Sequence, residues 1–282
     1  MRFAYGTNGF TAHRLPDALE IIAELGYAGA SITLDAHHLD PFADDVAARV
    51  ARTAQQLERL GLGAVVETGA PYLLDPRGKF EPSLVSDAGR DLRLDLLHRS
   101  IDIAGDLGAP VVHLWSGVLA PGTTPEVGWD RLVDGVAALL PHAERAGIVL
   151  AVEPEPSMLV SRLGDALDLR SRLGEPERLR VTLDVGHARC NEDAAPDACV
   201  RACADVLAHV QIEDMRRDVH AHLEFGEGDI DFPPVLAALD EAGYDGLVSV
   251  ELGRQSDSAP EVAARSLAAL HAYRTASRGA VR

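Results

Sequence analysis

The sequence predicts a single (β/α)8 barrel of the α/β class, and three observations predict it. Short runs of Val, Ile and Leu alternate with amphipathic segments along the chain. Eight strand–helix units fit the 282 residues at roughly 35 residues per unit, a normal span for that fold. Glycine repeatedly closes a helical segment just before the next apolar run, as at Gly26, Gly61, Gly108, Gly147 and Gly243. It suits the left-handed position that ends a helix.

The strands are read at FAYG (3–6), ASITL (30–34), AVVE (64–67), PVVHLW (110–115), IVLAVE (148–153), RVTLD (180–184), AHVQI (208–212) and LVSVE (247–251). Several are apolar almost throughout. Strands covered on both faces by helices read this way, because neither face meets water. Helical stripes lie between them: Leu15, Leu19, Ile22 and Leu25 in 15–25, then Val46, Val50, Leu57 and Leu60 in 43–61. Leu97, Ile101, Ala104 and Leu107 form the next, followed by Leu132, Val136, Leu139 and Ala143, with a last helix at 259–273. These spacings keep one face apolar at the 3.6-residue period. A doubly wound open sheet is the alternative. It usually carries GxGxxG after its first strand, and residues 6–9 read GTNG instead. No linker or low-complexity tract divides the chain, so one domain is expected over 1–282. The long irregular stretches, 68–89 and 116–126, follow strands three and four, on the side where barrel active sites are built.

The chain carries 44 acidic and 26 basic side chains, a net charge of −18. That balance argues against a nucleic-acid partner and against an anionic membrane surface, since both attract Lys and Arg. The N-terminal MRFAYGTNGF has no signal-peptide pattern, and no run is long and apolar enough to cross a membrane. Cys190, Cys199 and Cys203 form no metal motif. They are read as reduced, buried thiols, and the protein is expected in the cytoplasm.

Polar residues gather at the C-terminal ends of the strands, which converge on one mouth in such a barrel. Asn8 follows strand one, and Asp35, His37 and His38 follow strand two. Glu67 ends strand three, and His113 and Trp115 end strand four. Glu153 and Glu155 end strand five, Asp184 ends strand six, and His187 lies three residues on. His209 and Gln211 lie in strand seven, and Glu251 ends strand eight. One such carboxylate can be an ordinary helix cap. So many together, with few cations among them, call for a counter-ion or protons. Glu153, Asp184, Gln211 and Glu251 would offer one divalent metal three carboxylates and an amide oxygen. Oxygen ligands favour Mn²⁺ or Mg²⁺, with Zn²⁺ or Co²⁺ also accepted.

The ordered motifs VEPEP (152–156), LDVGHA (183–188), HVQIED (209–214), HLEFGEGDIDF (222–232) and LVSVEL (247–252) resemble those of the xylose-isomerase-like barrel superfamily over essentially the whole chain. The superfamily includes sugar and sugar-phosphate isomerases and epimerases, hydroxypyruvate isomerases, inosose dehydratases and endonuclease IV repair enzymes. The resemblance implies that Glu153, Asp184, Gln211 and Glu251 hold the metal. It implies that Glu153 and Glu251 are also the catalytic acid/base pair. His187, Arg217, Glu67, His113, His222 and Trp115 are expected to contact substrate. The implied reaction is isomerisation or epimerisation of a small polyhydroxy carbonyl compound (a sugar, sugar phosphate, inosose or hydroxy-keto acid) through an enediolate. Relatives of this kind are commonly homodimers or homotetramers.

Two departures bear on the branch. Gln211 stands where most epimerases have His; hydroxypyruvate isomerases and some dehydroshikimate dehydratases can carry Gln there. The additional Glu that epimerases carry after the first metal Glu is absent from the stretch Pro156-Ser157-Met158-Leu159. A metal-dependent dehydratase or lyase using the same enolate is therefore the alternative, followed by a non-catalytic binding barrel. Endonuclease IV uses three zinc ions. Here His113, Glu153, Asp184, His187, His222 and Glu251 match part of its set, but Glu67, Gln211 and His220 depart from it. A second metal near His187 and His222 stays open. His98, His142 and His271 are read as helix-surface residues, and Arg77, Lys79 and Arg216 as further candidates for an anionic substrate group.

Overall fold

The computed structural model describes residues 1–279. Eight parallel strands close into a barrel: β1 (Arg2–Gly6), β2 (Gly29–Thr33), β3 (Gly63–Glu67), β4 (Val111–Trp115), β5 (Val149–Glu153), β6 (Leu179–Asp184), β7 (Leu207–Ile212) and β10 (Leu247–Val250). Neighbours follow chain order, and β10 joins β7 to β1. Each expected strand is present, with ends shifted by a residue or so. Between β7 and β10 the chain inserts an antiparallel hairpin, β8 (Asp214–Arg216) and β9 (Val219–Leu223). The periodicity did not announce it.

The outer layer comprises α1 (Leu15–Leu25), α2 (Val46–Leu60), α3 (Arg90–Leu107), α4 (Pro125–Ala146), α5 (Leu163–Arg172), α6 (Val185–Asn191), α7 (Pro196–Ala202), α8 (Phe232–Glu241) and α9 (Ala259–Gly279). The apolar stripes turn inward: Leu15, Leu19 and Ile22 of α1, and Leu132, Val136 and Leu139 of α4, are all buried. Burying each such side chain stabilises the fold by about 1.5–3 kcal/mol. Gly26 shows why glycine closes these helices. Its φ of 98° lets its N–H donate back to the carbonyls of Ala23 and Ile22, a conformation that a Cβ would strain.

Inside the barrel, Ala4, Val65, Val111, Ala151 and Leu247 make a separate apolar cluster toward the N-terminal ends of the strands. Ser31 Oγ donates to Ser249 Oγ at 2.6 Å above it. The interior is thus filled from below, and the cleft opens at the C-terminal end. The three cysteines are buried and unbridged. Among the described residues, no helix is long and apolar enough to cross a membrane.

Candidate active site

Alternation along a strand sends every second side chain into the barrel. On β7 it sends His209 and Gln211 inward, with Glu213 one step past the strand. On β3 and β5 the last inward positions belong to Glu67 and Glu153, and on β4 His113 and then Trp115 face inward. All of these side chains are buried.

Two connected clusters result. Glu153 lies between two imidazoles: His113 Nε2 is 2.6 Å from Oε2, and His187 Nδ1 is 2.9 Å from Oε1. The Gln211 amide bridges two carboxylates, donating to Glu251 Oε2 at 2.7 Å and to Glu67 Oε1 at 3.2 Å. Asn8 donates to Glu251 Oε1 at 2.9 Å. Asp184 caps α6, its Oδ1 accepting from His187 N–H at 2.7 Å. It is therefore an ordinary helix cap and a site residue at once.

These environments push the titrations apart. Burial opposes ionisation of Glu153, yet the His113 and His187 charges hold it well below the usual carboxylate range. Burial, then the charges of Glu67, Glu153 and Asp184, push Glu251 well upward. Burial also raises Glu155, aided by Glu153 and Asp184, to about 7. Burial would lower His187, but Asp184, Glu155 and Glu153 overcome it and raise the imidazole well above its ordinary value. His220 falls to about 4, through burial and the neighbouring His187 and His222.

The mouth opens into a cleft of about 570 Å³. Glu67, His113, Glu153, His187, Gln211, His222 and Glu251 line it, with Trp115, Phe80, Tyr72 and Met158 on an apolar wall. Trp115 is held from behind. Arg93 of α3 is buried, stacks 4.5 Å from the Trp115 ring, and donates to the carbonyls of Pro82, Phe80 and Thr68. One cation thus ties the irregular 68–89 stretch to the aromatic wall.

Of the residues expected at substrate, Glu67, His113, Trp115, His187 and His222 lie on the cleft. Asp184 lies just beneath, buried, with a carboxylate oxygen within 4.8 Å of ligand atoms of Glu213, His222 and Glu251. Arg217 is a correction. It does not line the cleft; its guanidinium pairs with Asp193 at 3.0 Å and with the Glu192 carbonyl. The hairpin carries the chain away from the mouth before Arg217 is reached. Arg216 is likewise turned aside, donating to the Glu227 carbonyl. Trp129 lies in the first turns of α4 against Arg172 and does not line the cleft. His98 and His142 pair at 2.8 Å on the outside, between α3 and α4.

Sequence reading did not single out four site residues as ligands or contacts: Glu155, Glu213, His220 and Arg254. Glu155 was visible as a strand-end carboxylate, and Glu213 lay on the period-two alternation from His209. His220 and His222 share a face of β9 for the same reason, but only the hairpin brings that face to the mouth. Arg254 had no signal.

The donors fit a divalent metal. Asp184 Oδ2 and Gln211 Oε1 are buried without a hydrogen-bond partner. Oxygens in that state are costly to bury unless something else engages them. Three carboxylates and an amide oxygen suit a hard cation.

The model of the xylose isomerase-like TIM barrel matches residues 19–273. L-ribulose-5-phosphate 3-epimerase UlaE of Escherichia coli (strain K12) is 26% identical over 253 residues, covering 88% of this chain and 86% of that protein. Among solved structures, a D-tagatose 3-epimerase-like protein superposes with a TM-score of 0.84 at 22% identity, covering 100% of both chains. An L-ribulose 3-epimerase does so with a TM-score of 0.79 at 20% identity, over 99% of this chain and 96% of that one. With the family match spanning nearly all of the chain and the barrel closed as the motifs require, the protein belongs to the xylose isomerase-like TIM barrel family.

Proposed function

We propose that this protein is a divalent-metal-dependent epimerase or isomerase of a small polyhydroxy carbonyl compound, of the ketose or ketose-phosphate kind. One observation carries the reading. Two glutamates, the buried Glu153 and the half-buried Glu251, line a sugar-sized cleft beside orphaned carboxylate and amide oxygens. The epimerases named among the relatives support it.

Glu153, Asp184, Gln211 and Glu251 would hold the metal, with Mn²⁺ or Mg²⁺ suited to their oxygens. When bound, it polarises the substrate carbonyl and acidifies the adjacent C–H. The chain's own groups then move the proton. One of the Glu153/Glu251 pair removes it as the enediolate forms, and the other returns it to the opposite face or the next carbon. His113 and His187 flank Glu153 and orient it. Asn8 and Gln211 orient Glu251. Trp115 and Phe80 close one wall and keep water from the intermediate.

Elimination of a hydroxyl from the same enolate is the second reading. It draws on Gln211, which stands where dehydratase-like relatives can carry Gln. A pool of ketoses, ketose phosphates and inososes incubated with Mn²⁺ in deuterated water separates the two. Deuterium entering substrate carbon without loss of water supports epimerisation or isomerisation, and an enone chromophore supports elimination. Exchange in none of these substrates would sink both.

A further inference from the structure

Arg93 does not line the cleft, yet what it holds does. It is 4% exposed. Its Nε donates to the Pro82 carbonyl at 2.9 Å, Nη2 to Phe80 at 3.1 Å and Nη1 to Thr68 at 3.4 Å. Burial lowers its pKa to about 10, so it stays charged at neutral pH. Glu81 attracts that charge without bonding to it, its carboxylate being bonded to Ser86. A buried cation without a bonded carboxylate is costly. Three carbonyl dipoles and the face of Trp115 stand in for one here.

These partners bear on the cleft. Phe80 holds φ at 64°, in the left-handed region. A bulky residue stays there only where its surroundings fix it. The bond from Arg93 to the Phe80 carbonyl is such a constraint, and in that conformation the Phe80 ring meets Trp115 edge-on at 5.3 Å. Thr68 follows Glu67, and its hydroxyl donates to the His113 carbonyl at 2.9 Å. One guanidinium therefore touches both aromatic members of the wall and the backbone beside Glu67.

We propose that Arg93 is a positioning residue for substrate recognition, holding the Phe80–Trp115 wall closed before substrate arrives. The inference deepens the epimerase or isomerase reading above and rests on it for its kinetic arm. A wall assembled in advance spares each binding event the cost of ordering it. Its loss should therefore raise KM more than it lowers kcat. The planar fork matters, because three carbonyls and a ring surround one group. Lysine offers only a point charge.

The test reads Trp115 alone. The chain has two tryptophans, and Trp129→Phe removes the other, which does not line the cleft. In that background Arg93→Met should raise acrylamide quenching of Trp115 several-fold at native far-UV circular dichroism. Arg93→Lys should do the same to a smaller extent, an independent check if Arg93→Met folds poorly. Trp129, read in a Trp115→Phe background, should keep its native quenching in both variants. On the pooled ketose or ketose phosphate that exchanges deuterium fastest, Arg93→Met should raise KM about tenfold and lower kcat by less. Native quenching of Trp115 in both variants would overturn the assignment, as would an equal rise at Trp129, which would make Arg93 a support of the whole chain. A fall in kcat at native KM would overturn it too. Raised Trp115 quenching with no turnover of any pooled substrate by the native protein would instead sink the epimerase or isomerase reading and leave the wall assignment standing.

Discussion

The two ends of the barrel are made by the same strands and have opposite chemistry. At the N-terminal end, Val65 of β3, Val111 of β4, Ala151 of β5 and Leu247 of β10 pack into an apolar plug. Two residues further along, β3 presents Glu67, β4 presents His113 and β5 presents Glu153; four further, the end of β10 presents Glu251. The plug buries nothing that needs a partner. The mouth buries Asp184 Oδ2, Gln211 Oε1 and both Glu213 oxygens without one. Stability thus concentrates at one end and unsatisfied polarity at the other, separated by one or two pleats. Rigid strands rooted in a well-packed plug can hold mutually repelling carboxylates in place.

That contrast predicts opposite responses to substitution. The largest effect falls on turnover. Glu251→Gln should lower kcat/KM about 10²–10⁴-fold, the usual weight of a general acid or base, while the urea unfolding midpoint of the metal-free protein stays level or rises. Activity within a few-fold of native would remove Glu251 from the acid/base pair.

Next in size is a loss confined to stability. Leu247 is 4% exposed in the plug, so Leu247→Ala should cost about 2–5 kcal/mol in chemical denaturation. Mn²⁺ affinity of the folded protein should hardly change. A large loss of Mn²⁺ binding by folded Leu247→Ala would show that the two ends are not separable.

A smaller effect, on the order of 2 kcal/mol, should follow pH. Burial and the nearby Glu153 and Asp184 charges raise Glu155 in the folded state to about 7, from 4.5. The folded protein then holds a proton that the unfolded chain has released, so stability declines as pH rises across that interval. His187, also raised, acts in the same direction, its contribution ending as pH passes its folded value. Glu153 is lowered and acts oppositely, but only in acid, and the lowered His220 acts oppositely below its ordinary 6.5. Urea midpoints of stripped protein should therefore fall between pH 6.5 and 8, and saturating Mn²⁺ should flatten the slope. A midpoint that rises toward pH 8 without metal would contradict this account of the mouth.

The smallest effect belongs to Arg217. Its guanidinium is spent on the exposed Asp193 and on the Glu192 carbonyl. Arg217→Ala should leave KM unchanged and cost less than about 1 kcal/mol. A tenfold rise in KM would restore Arg217 to the substrate.

Much of the barrel could be read directly. Strands buried on both faces become continuous Val/Ile/Leu runs, and α1 falls at the residues its stripe marks, Leu15–Leu25. Glu67, His113, Glu153, Asp184, Gln211 and Glu251 were legible for a related reason. In a parallel barrel, position along the strand already specifies the end of the molecule. The hairpin was not legible, because β8 has only three residues and β9, at the barrel's rim, is neither apolar throughout nor buried. Arg217 was misjudged for that reason, since counting residues past β7 ignores the reversal. Arg93 was hidden differently: a lone Arg on a helix resembles any surface charge until Trp115 and the three carbonyls close around it.

The sequence by itself determined the architecture, the family and the carboxylates at the mouth, because those follow from local periodicity and from order along the chain. Only the tertiary structure decided which polar atoms are left unpartnered, that Glu213 fits against Gly186, and that β9 turns His220 and His222 toward Asp184 and Glu153. Those outcomes depend on contacts between residues distant in sequence, and no local pattern records them.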